Sequence, residues 1–295
     1  MAVKKPRIGF VGLGIMGTAM SLRLLEQGWP VTVWNLEPER VPPLVAAGAV
    51  SADSPVSVTA ASDIVMLCVL HTEAVRSCVF GAQGIAGAAT ADKLLIDHST
   101  IDPAATRAMA QQLRNETGMR WVDAPVSGGP LQSRAGTLTV MAGGEAIDIE
   151  SIRAVMADLA MNFTHIGPSG AGQTAKMINQ LIVGSGYVVL AEALTLAEAA
   201  GVNAQALPQC LAGGHADSSL LKQLYPQMQA RDFEPPRSYA RQLLKDLMAV
   251  TAYAHELQLS LPMLEAATRR YTDYVEQGNG MKDTASIVNS YRPVA

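Results

Sequence analysis

Cysteine is scarce in this chain. Cys68, Cys78 and Cys210 are the only three in 295 residues, an odd number without Cys-x-x-Cys spacing. That excludes a disulfide framework and reads as buried or half-buried thiols in a reducing compartment. Aromatic residues make up only 5% of the chain, while alanine and glycine are plentiful, so close helix packing is expected rather than an aromatic-lined groove. Charged residues are few at 16%, the net charge is −4, and no basic run exists beyond Lys4-Lys5-Pro6-Arg7, which excludes a nucleic-acid partner. The five histidines (His71, His98, His165, His215 and His255) show no ligand spacing, so no metal site is expected. The apolar stretch 181–190 contains Gly184 and Gly186 and is soon followed by Glu192. It falls short of the ~20 residues that span a bilayer, and the N-terminus leaves no room for a signal sequence. A cytoplasmic protein without a membrane partner is the expectation.

What is present is apolar content, 49% of the chain, enough for a sizeable core and two domains. Short β-branched runs alternate with helical patterns through the first half. Strands are expected at 7–13, 31–34, 63–68, 94–97, 121–124 and 138–142, and helices at 16–27 and 103–114, the latter with Asp102 as N-cap. Such alternation predicts a doubly wound, mostly parallel α/β sheet of the Rossmann type. Past Gly167-Pro168-Ser169-Gly170 the pattern turns all helical, with a long helix over 173–200 closed by Gly201 and others near 205–211, 239–257 and 262–276. Ser218-Ser219 reads as a further helix start, with Asp217 as a possible cap. The expected division is a dinucleotide-binding domain over 1–166 and an all-α domain over 167–295.

Gly12-Leu13-Gly14-Ile15-Met16-Gly17 is a GxGxxG set between the first strand and the first helix. Gly12 permits the tight turn, Gly14 admits the pyrophosphate, and Gly17 lets the helix pack closely, with its N-terminus facing the phosphates. The plainer alternative is a purely structural glycine turn. At the end of the second strand stand Asn35, Leu36, Glu37 and Arg40. Asn35 is neutral, Leu36 removes an expected arginine, and Glu37 would repel a 2′-phosphate, so of NAD and NADP the sequence leans to NAD.

Asp123-Ala-Pro-Val-Ser-Gly-Gly-Pro130 follows a strand, and the backbone N–H groups around Ser127, Gly128 and Gly129 can form an anion nest for a carboxylate. A strand-capping turn would need the same glycines. Lys176 stands early in the long helix, followed by Met177, Ile178, Leu181 and Ile182, so apolar surroundings are expected. A lysine beside a substrate hydroxyl or carbonyl can pass a proton and hold a developing negative oxygen, and desolvation would lower its pKa. A surface lysine is the commoner fate of any single Lys.

These motifs, in this order, resemble the β-hydroxyacid dehydrogenases, among them 3-hydroxyisobutyrate dehydrogenase and tartronate semialdehyde reductase. The likeness runs from Ile8-Gly-Phe-Val-Gly-Leu-Gly-Ile-Met-Gly17 through Asp97-His-Ser-Thr-Ile-Asp-Pro103, the 123–129 loop, Gly172-Gln-Thr-Ala-Lys176 and Leu244-Lys-Asp-Leu247 to Asp283-Thr-Ala-Ser286. The resemblance implies a second domain of the 6-phosphogluconate dehydrogenase type, and Lys176 as the catalytic acid/base. It implies that Ser127, Gly128 and Gly129 hold the substrate carboxylate, and that Ser99 and Thr100 lie by the nicotinamide ribose. Val69 and Leu70 then contact the cofactor ribose, and Lys245 closes over the cofactor. It also implies a homodimer or homotetramer built through the helical half.

Three departures from the family pattern stand out. Many relatives carry Asn four residues past the lysine; here Gln180 takes that place, with Asn179 pointing more aside. The loop after the expected 63–68 strand reads Val69-Leu70-His71 in place of Leu-Pro. Arg241 lies four residues before Lys245, on the same helix face, where relatives often have an acidic or apolar residue. It is expected to read a second polar group on the substrate, or to pair with a neighbour such as Asp246. The expected activity is hydride transfer between NAD(P) and a small β-hydroxy acid or its semialdehyde, of the 3-hydroxyisobutyrate or D-glycerate/tartronate semialdehyde type. The alternatives are a non-catalytic dinucleotide-binding protein on the same fold, or imine reductase-like activity, against which Lys176 argues.

Overall fold

The structure, a computed structural model, describes residues 5–291. Lys4 of the basic run, and the first four residues of the N-terminal stretch 1–7 on which the signal-sequence expectation rests, lie outside the described residues. The chain divides into two compact units, Met1–Lys176 and Met177–Ala295.

The first unit is built on a nine-stranded sheet. Its strands are β1 (Ile8–Val11), β2 (Val31–Trp34), β3 (Val50–Ser51), β4 (Ile64–Leu67), β5 (Leu94–Asp97), β6 (Arg120–Asp123), β7 (Val126–Ser127), β8 (Leu138–Gly143) and β9 (Ala160–Gly167). The spatial order is β3-β2-β1-β4-β5-β6-β8-β7, with β9 on β8. Pairing is parallel from β3 through β6, then antiparallel from β6 to β8 and from β8 to β7. The central strands β1, β4 and β5 are buried at every residue. That is what a parallel sheet covered on both faces requires, and it explains their unbroken apolar runs. Ile8 and Phe10 pack into the layer with Met20 and Leu24, while Val11 packs with Val65, Leu67 and Leu95 on the other face.

Two helices of this unit matter for the site. Helix α1 (Ile15–Glu26) follows β1 directly, and α2 (Pro103–Thr117) is capped by Asp102, whose side chain accepts from Ala105 N at 2.6 Å. The strand order reverses between β1 and β4, because β2 and β3 lie to one side of β1 and β4 to β6 to the other. The turn from β1 to α1 therefore sits at the switch point, where such sheets open a crevice at the carboxyl ends of their strands. Strands β3, β7 and β9 were not expected. Two have only two residues, and β9 is an edge strand with five exposed side-chain positions and no continuous apolar run.

Helix α3 (Ala171–Ala199) is 29 residues long and carries the unit boundary just past Lys176. By length and apolar content alone the whole helix is long enough to cross a bilayer, although the apolar stretch 181–190 within it is not. The second unit adds α4 (Ser219–Ala230), α5 (Ala240–Glu256) and α6 (Pro262–Tyr274) around a core that includes Tyr225, Leu247 and Tyr271. Close packing here uses glycine. A Cβ at Gly184 would meet Leu247 of α5 at 2.5 Å, so the two helices touch through that bare backbone. The cap of α4 is Ser218, whose Oγ accepts from Leu221 N at 3.0 Å; Asp217 instead accepts from Gly213 N and pairs with Lys222.

Candidate active site

The glycine turn has the geometry a dinucleotide needs. Gly12 adopts φ +95°, a left-handed value open to glycine, and a Cβ there would overlap the Cys68 carbonyl oxygen. A Cβ at Gly17 would overlap the Gly12 carbonyl oxygen, so α1 packs against its own turn. A Cβ at Gly14, by contrast, would meet no protein atom within 4 Å. Gly14 is the N-cap of α1, with no side-chain cap and no acidic residue in the first turn. Open space before an uncapped helix N-terminus fits a pyrophosphate. Leu13 is fully buried, and its N–H donates to Asn35 Oδ1 at 2.6 Å.

Asn35 also reaches the other way. Its Nδ2 donates to the Glu37 carboxylate at 2.8 Å and to the Glu37 carbonyl at 3.1 Å. Glu37 is thereby held beside the glycine turn by Asn35, and its carbonyl accepts from Arg40 N at 3.2 Å. Leu36 is 76% exposed. The loops after β4 and β5 are joined, since Val69 N donates to Ser99 Oγ at 3.0 Å. His71, unassigned in sequence, caps the following helix through Nδ1, which accepts from Ala74 N at 3.1 Å.

Two carboxylates end adjacent strands. Asp97 of β5 and Asp123 of β6 are register partners, and both are fully buried. Asp97 Oδ1 accepts from Ser99 N at 2.9 Å, but Oδ2 has no hydrogen-bond partner among the described residues. Burial is the main force pushing the Asp97 carboxyl up to about 7, helped by the neighbouring Asp123 charge and opposed by the Ser99 bonds. Asp123 is pushed up to about 6 by burial, against the pull of backbone N–H groups that include Gly170 and Gln173. Beside Asp97, burial holds His98 down to about 4, so the ring is neutral. Its Nδ1 lies 2.7 Å from the Ala124 carbonyl, which can only accept, so Nδ1 carries the proton.

Asp123 ties the anion-loop strand to the start of α3. Its Oδ1 accepts from Gly170 N at 2.8 Å and its Oδ2 from Gln173 N at 3.0 Å. Glycines make room for this contact: a Cβ at Gly143 would come within 2.8 Å of both carboxylate oxygens. One turn further along α3, Lys176 is only 7% exposed, and its Nζ donates to the Val126 carbonyl at 2.9 Å. Val126 immediately precedes Ser127. Gly128 and Gly129 then take φ of +137° and +81°, which turns the chain into the short helix Gly129–Ala135. Lysine and loop, 47 to 50 residues apart in sequence, thus meet in space. The apolar surroundings expected for Lys176 hold for Met177, at 2% exposure, but Ile178 and Ile182 are 56% and 65% exposed.

In the second unit, Asn179 Nδ2 donates to Gln180 Oε1 at 2.8 Å, and Gln180 Nε2 donates to Asp246 Oδ2 at 2.6 Å. Asp246 Oδ1 is paired with Lys245 Nζ at 2.8 Å. Asp246 is thus engaged by Lys245 and Gln180, not by Arg241, which corrects the expected neighbour pair. Arg241 is exposed and lies over the Tyr239 ring, 5.9 Å from its centroid.

Comparison with known proteins decides the family. Residues 7–167 match the NAD binding domain of 6-phosphogluconate dehydrogenase, and residues 170–291 match the NAD-binding domain of NADP-dependent 3-hydroxyisobutyrate dehydrogenase. The chain is 35% identical over 289 residues to 2-hydroxy-3-oxopropionate reductase of Escherichia coli K12, covering 98% of each protein. The chain belongs to the β-hydroxyacid dehydrogenase family. It is 31% identical to the NAD-dependent L-serine dehydrogenase of Pseudomonas aeruginosa, over 97% of this chain and 98% of that one. The Mycobacterium tuberculosis 3-hydroxyisobutyrate dehydrogenase structure with L-serine superposes at TM-score 0.87 and 28% identity, covering 98% of this chain and 99% of that one. As a family member the chain is an NAD(P)-dependent oxidoreductase acting on a CH–OH group.

Within this dehydrogenase, sequence reasoning passed over two buried residues. Asp123 was read only as the start of a glycine loop, and Gln173 only as part of the lysine motif. Gln173 is fully buried; its Nε2 donates to Ser99 O at 2.8 Å and its Oε1 accepts from Ile101 N at 3.1 Å. Both bonds span more than 70 residues, so no local spacing announces them.

Proposed function

We propose that this dehydrogenase interconverts a small β-hydroxy acid and its semialdehyde, of the D-glycerate/tartronate semialdehyde or 3-hydroxyisobutyrate type, with Lys176 as acid/base. The observation that carries the reading is the 2.9 Å bond from the buried Lys176 ammonium to the Val126 carbonyl, next to the Ser127-Gly128-Gly129 loop. A carboxylate bound by the Ser127 hydroxyl and the N–H groups of Gly128 and Gly129 would set the adjacent carbon's oxygen toward that ammonium. Bound NAD(P) supplies the hydride acceptor or donor. Lys176 donates a proton to the carbonyl oxygen on reduction, takes it from the hydroxyl on oxidation, and stabilises the negative oxygen between. Ser99, Thr100, Val69 and Leu70 fall to the cofactor side, and Asn179, Gln180, Arg241 and Lys245 to the helical unit's share of recognition.

For the cofactor, the reading favours NAD. The Asn35-held Glu37 carboxylate lies beside the glycine turn, where it can accept from a ribose hydroxyl and would repel a 2′-phosphate. A similar relative, the P. aeruginosa L-serine dehydrogenase, is NAD-dependent. The same reading has copies of the chain assembling through α3. Ile178, Ile182, Val189 and Leu196 are 48–71% exposed, and their spacing sets them along one helix face.

The deciding experiment is turnover across small hydroxy acids and semialdehydes with NAD(H) and NADP(H), for wild type and Lys176→Ala. Turnover with kcat lower by roughly 10²- to 10⁴-fold in the variant is expected, at unchanged dinucleotide affinity. Equal turnover in both proteins would remove Lys176 from its role.

A further inference from the structure

The proton-handling residue and the cofactor-side loop are joined by one uncharged side chain. Gln173 occupies the first turn of α3, three residues before Lys176, and is fully buried. Its amide is used at both ends: Nε2 donates to Ser99 O at 2.8 Å, and Oε1 accepts from Ile101 N at 3.1 Å. Its backbone N–H donates to Asp123 Oδ2 at 3.0 Å, so the residue carrying the amide is itself pinned to β6. Ser99 in turn accepts from Val69 N through its hydroxyl, which extends the connection to the loop after β4.

We infer that Gln173 is a positioning residue of the reaction. It locks the 99–101 loop, which borders the nicotinamide side, to the helical turn that presents Lys176, and so fixes the register between the hydride position and the proton position. The inference rests on the reading of Lys176 as acid/base. A side chain that only filled space would be apolar at a fully buried position, because each unmet polar end there costs on the order of 1–3 kcal/mol. Gln173 meets both ends, and both partners belong to one loop. Rigid support of this kind matters because a displacement of about 1 Å in a reacting group costs roughly 100-fold in rate.

The test compares wild type with Gln173→Met, which keeps the length and loses both bonds, and Gln173→Glu, which keeps the shape and the acceptor but loses the donor. Hydrogen–deuterium exchange is measured with and without NADH and NADPH, alongside steady-state kinetics and dinucleotide affinity. In wild type, dinucleotide should slow exchange both at 99–102 and at 170–177. In Gln173→Met, protection at 99–102 should persist, while that at 170–177 falls at least 10-fold. Dinucleotide affinity should stay within 3-fold and kcat should drop 10- to 100-fold.

Wild-type protection confined to 99–102 would overturn the inference. So would a variant that still transmits protection to 170–177 with kcat within 3-fold. If Gln173→Met does not fold, Gln173→Glu decides on the same criteria. Lys176→Ala is run in parallel. Wild-type-like turnover there would sink the acid/base reading alone, since the exchange data judge the Gln173 connection independently.

Discussion

Asp97 carries an electrostatic cost that a single atom replacement should remove. Its carboxyl is fully buried, one oxygen has no hydrogen-bond partner among the described residues, and burial pushes it from 3.8 up to about 7. A carboxyl raised on folding favours the folded state fully only below its unfolded value, near pH 4. That stability is lost as pH climbs through 7. The rise from 3.8 to about 7 corresponds to about 4 kcal/mol at ~1.36 kcal/mol per pH unit. Asp97→Asn keeps the oxygen that accepts from Ser99 N and replaces the ionisable one by a neutral group. The advantage of the variant should therefore be only about 1 kcal/mol near pH 4.5 and reach about 4 kcal/mol at pH 8.5. At ~2–4 °C per kcal/mol for a unit of this size, the gain in Tm should be on the order of 10 °C. Thermal melts followed by circular dichroism at the two pH values test this. A variant no more stable than wild type at pH 8.5, or one with the same difference at both pH values, refutes the account of Asp97.

Two further changes probe other links. Glu37→Gln removes the charge beside the expected 2′ position, so the ratio of kcat/KM for NADP(H) over NAD(H) should rise about 10-fold, the scale of one like-charge contact in a partly screened site; an unchanged ratio would take Glu37 out of cofactor choice. Gly184→Ala pushes a methyl against Leu247 and should cost about 1–3 kcal/mol of unfolding free energy in a denaturant melt. Leu247→Val in the same chain should recover part of that loss, and strictly additive effects would show that the two side chains do not compete for one space.

What the sequence disclosed depended on how local the cause was. The β1–turn–α1 unit, the Asp102 cap of α2 and the buried strands β1, β4 and β5 each have a signature within a dozen residues, and each forms where expected. Strand β9 has none, because an edge strand with one face toward solvent needs no apolar run. The Ser218 cap was misplaced by one residue, since Asp217 is an equally good capping type and its own bonds to Gly213 and Lys222 are invisible in sequence. In the site, Lys176 and the Ser127 loop were legible as motifs, but their meeting at Val126 was not. Asp123 and Gln173 bond to partners 47 or more residues away, and residue type alone does not distinguish such bonds from ordinary core polarity. Ile178 and Ile182 show the converse error: apolar neighbours in sequence were read as burial, yet both side chains face outward.

The first turn of α3 belongs by its contacts to the sheet unit, while the rest of the same helix belongs to the other. For anyone recombining this protein with its relatives, the natural crossover is therefore not the Gly167-Pro168 bend but the peptide after Lys176. A sheet half excised at 166 would leave the Asp123 carboxylate facing two missing N–H donors and the 99–101 loop without its clamp. A graft joined after Lys176 carries the proposed proton donor along with the glycine turn. Exchanging helical halves at that seam would leave Lys176, the Ser127 loop and the glycine turn together on one polypeptide segment.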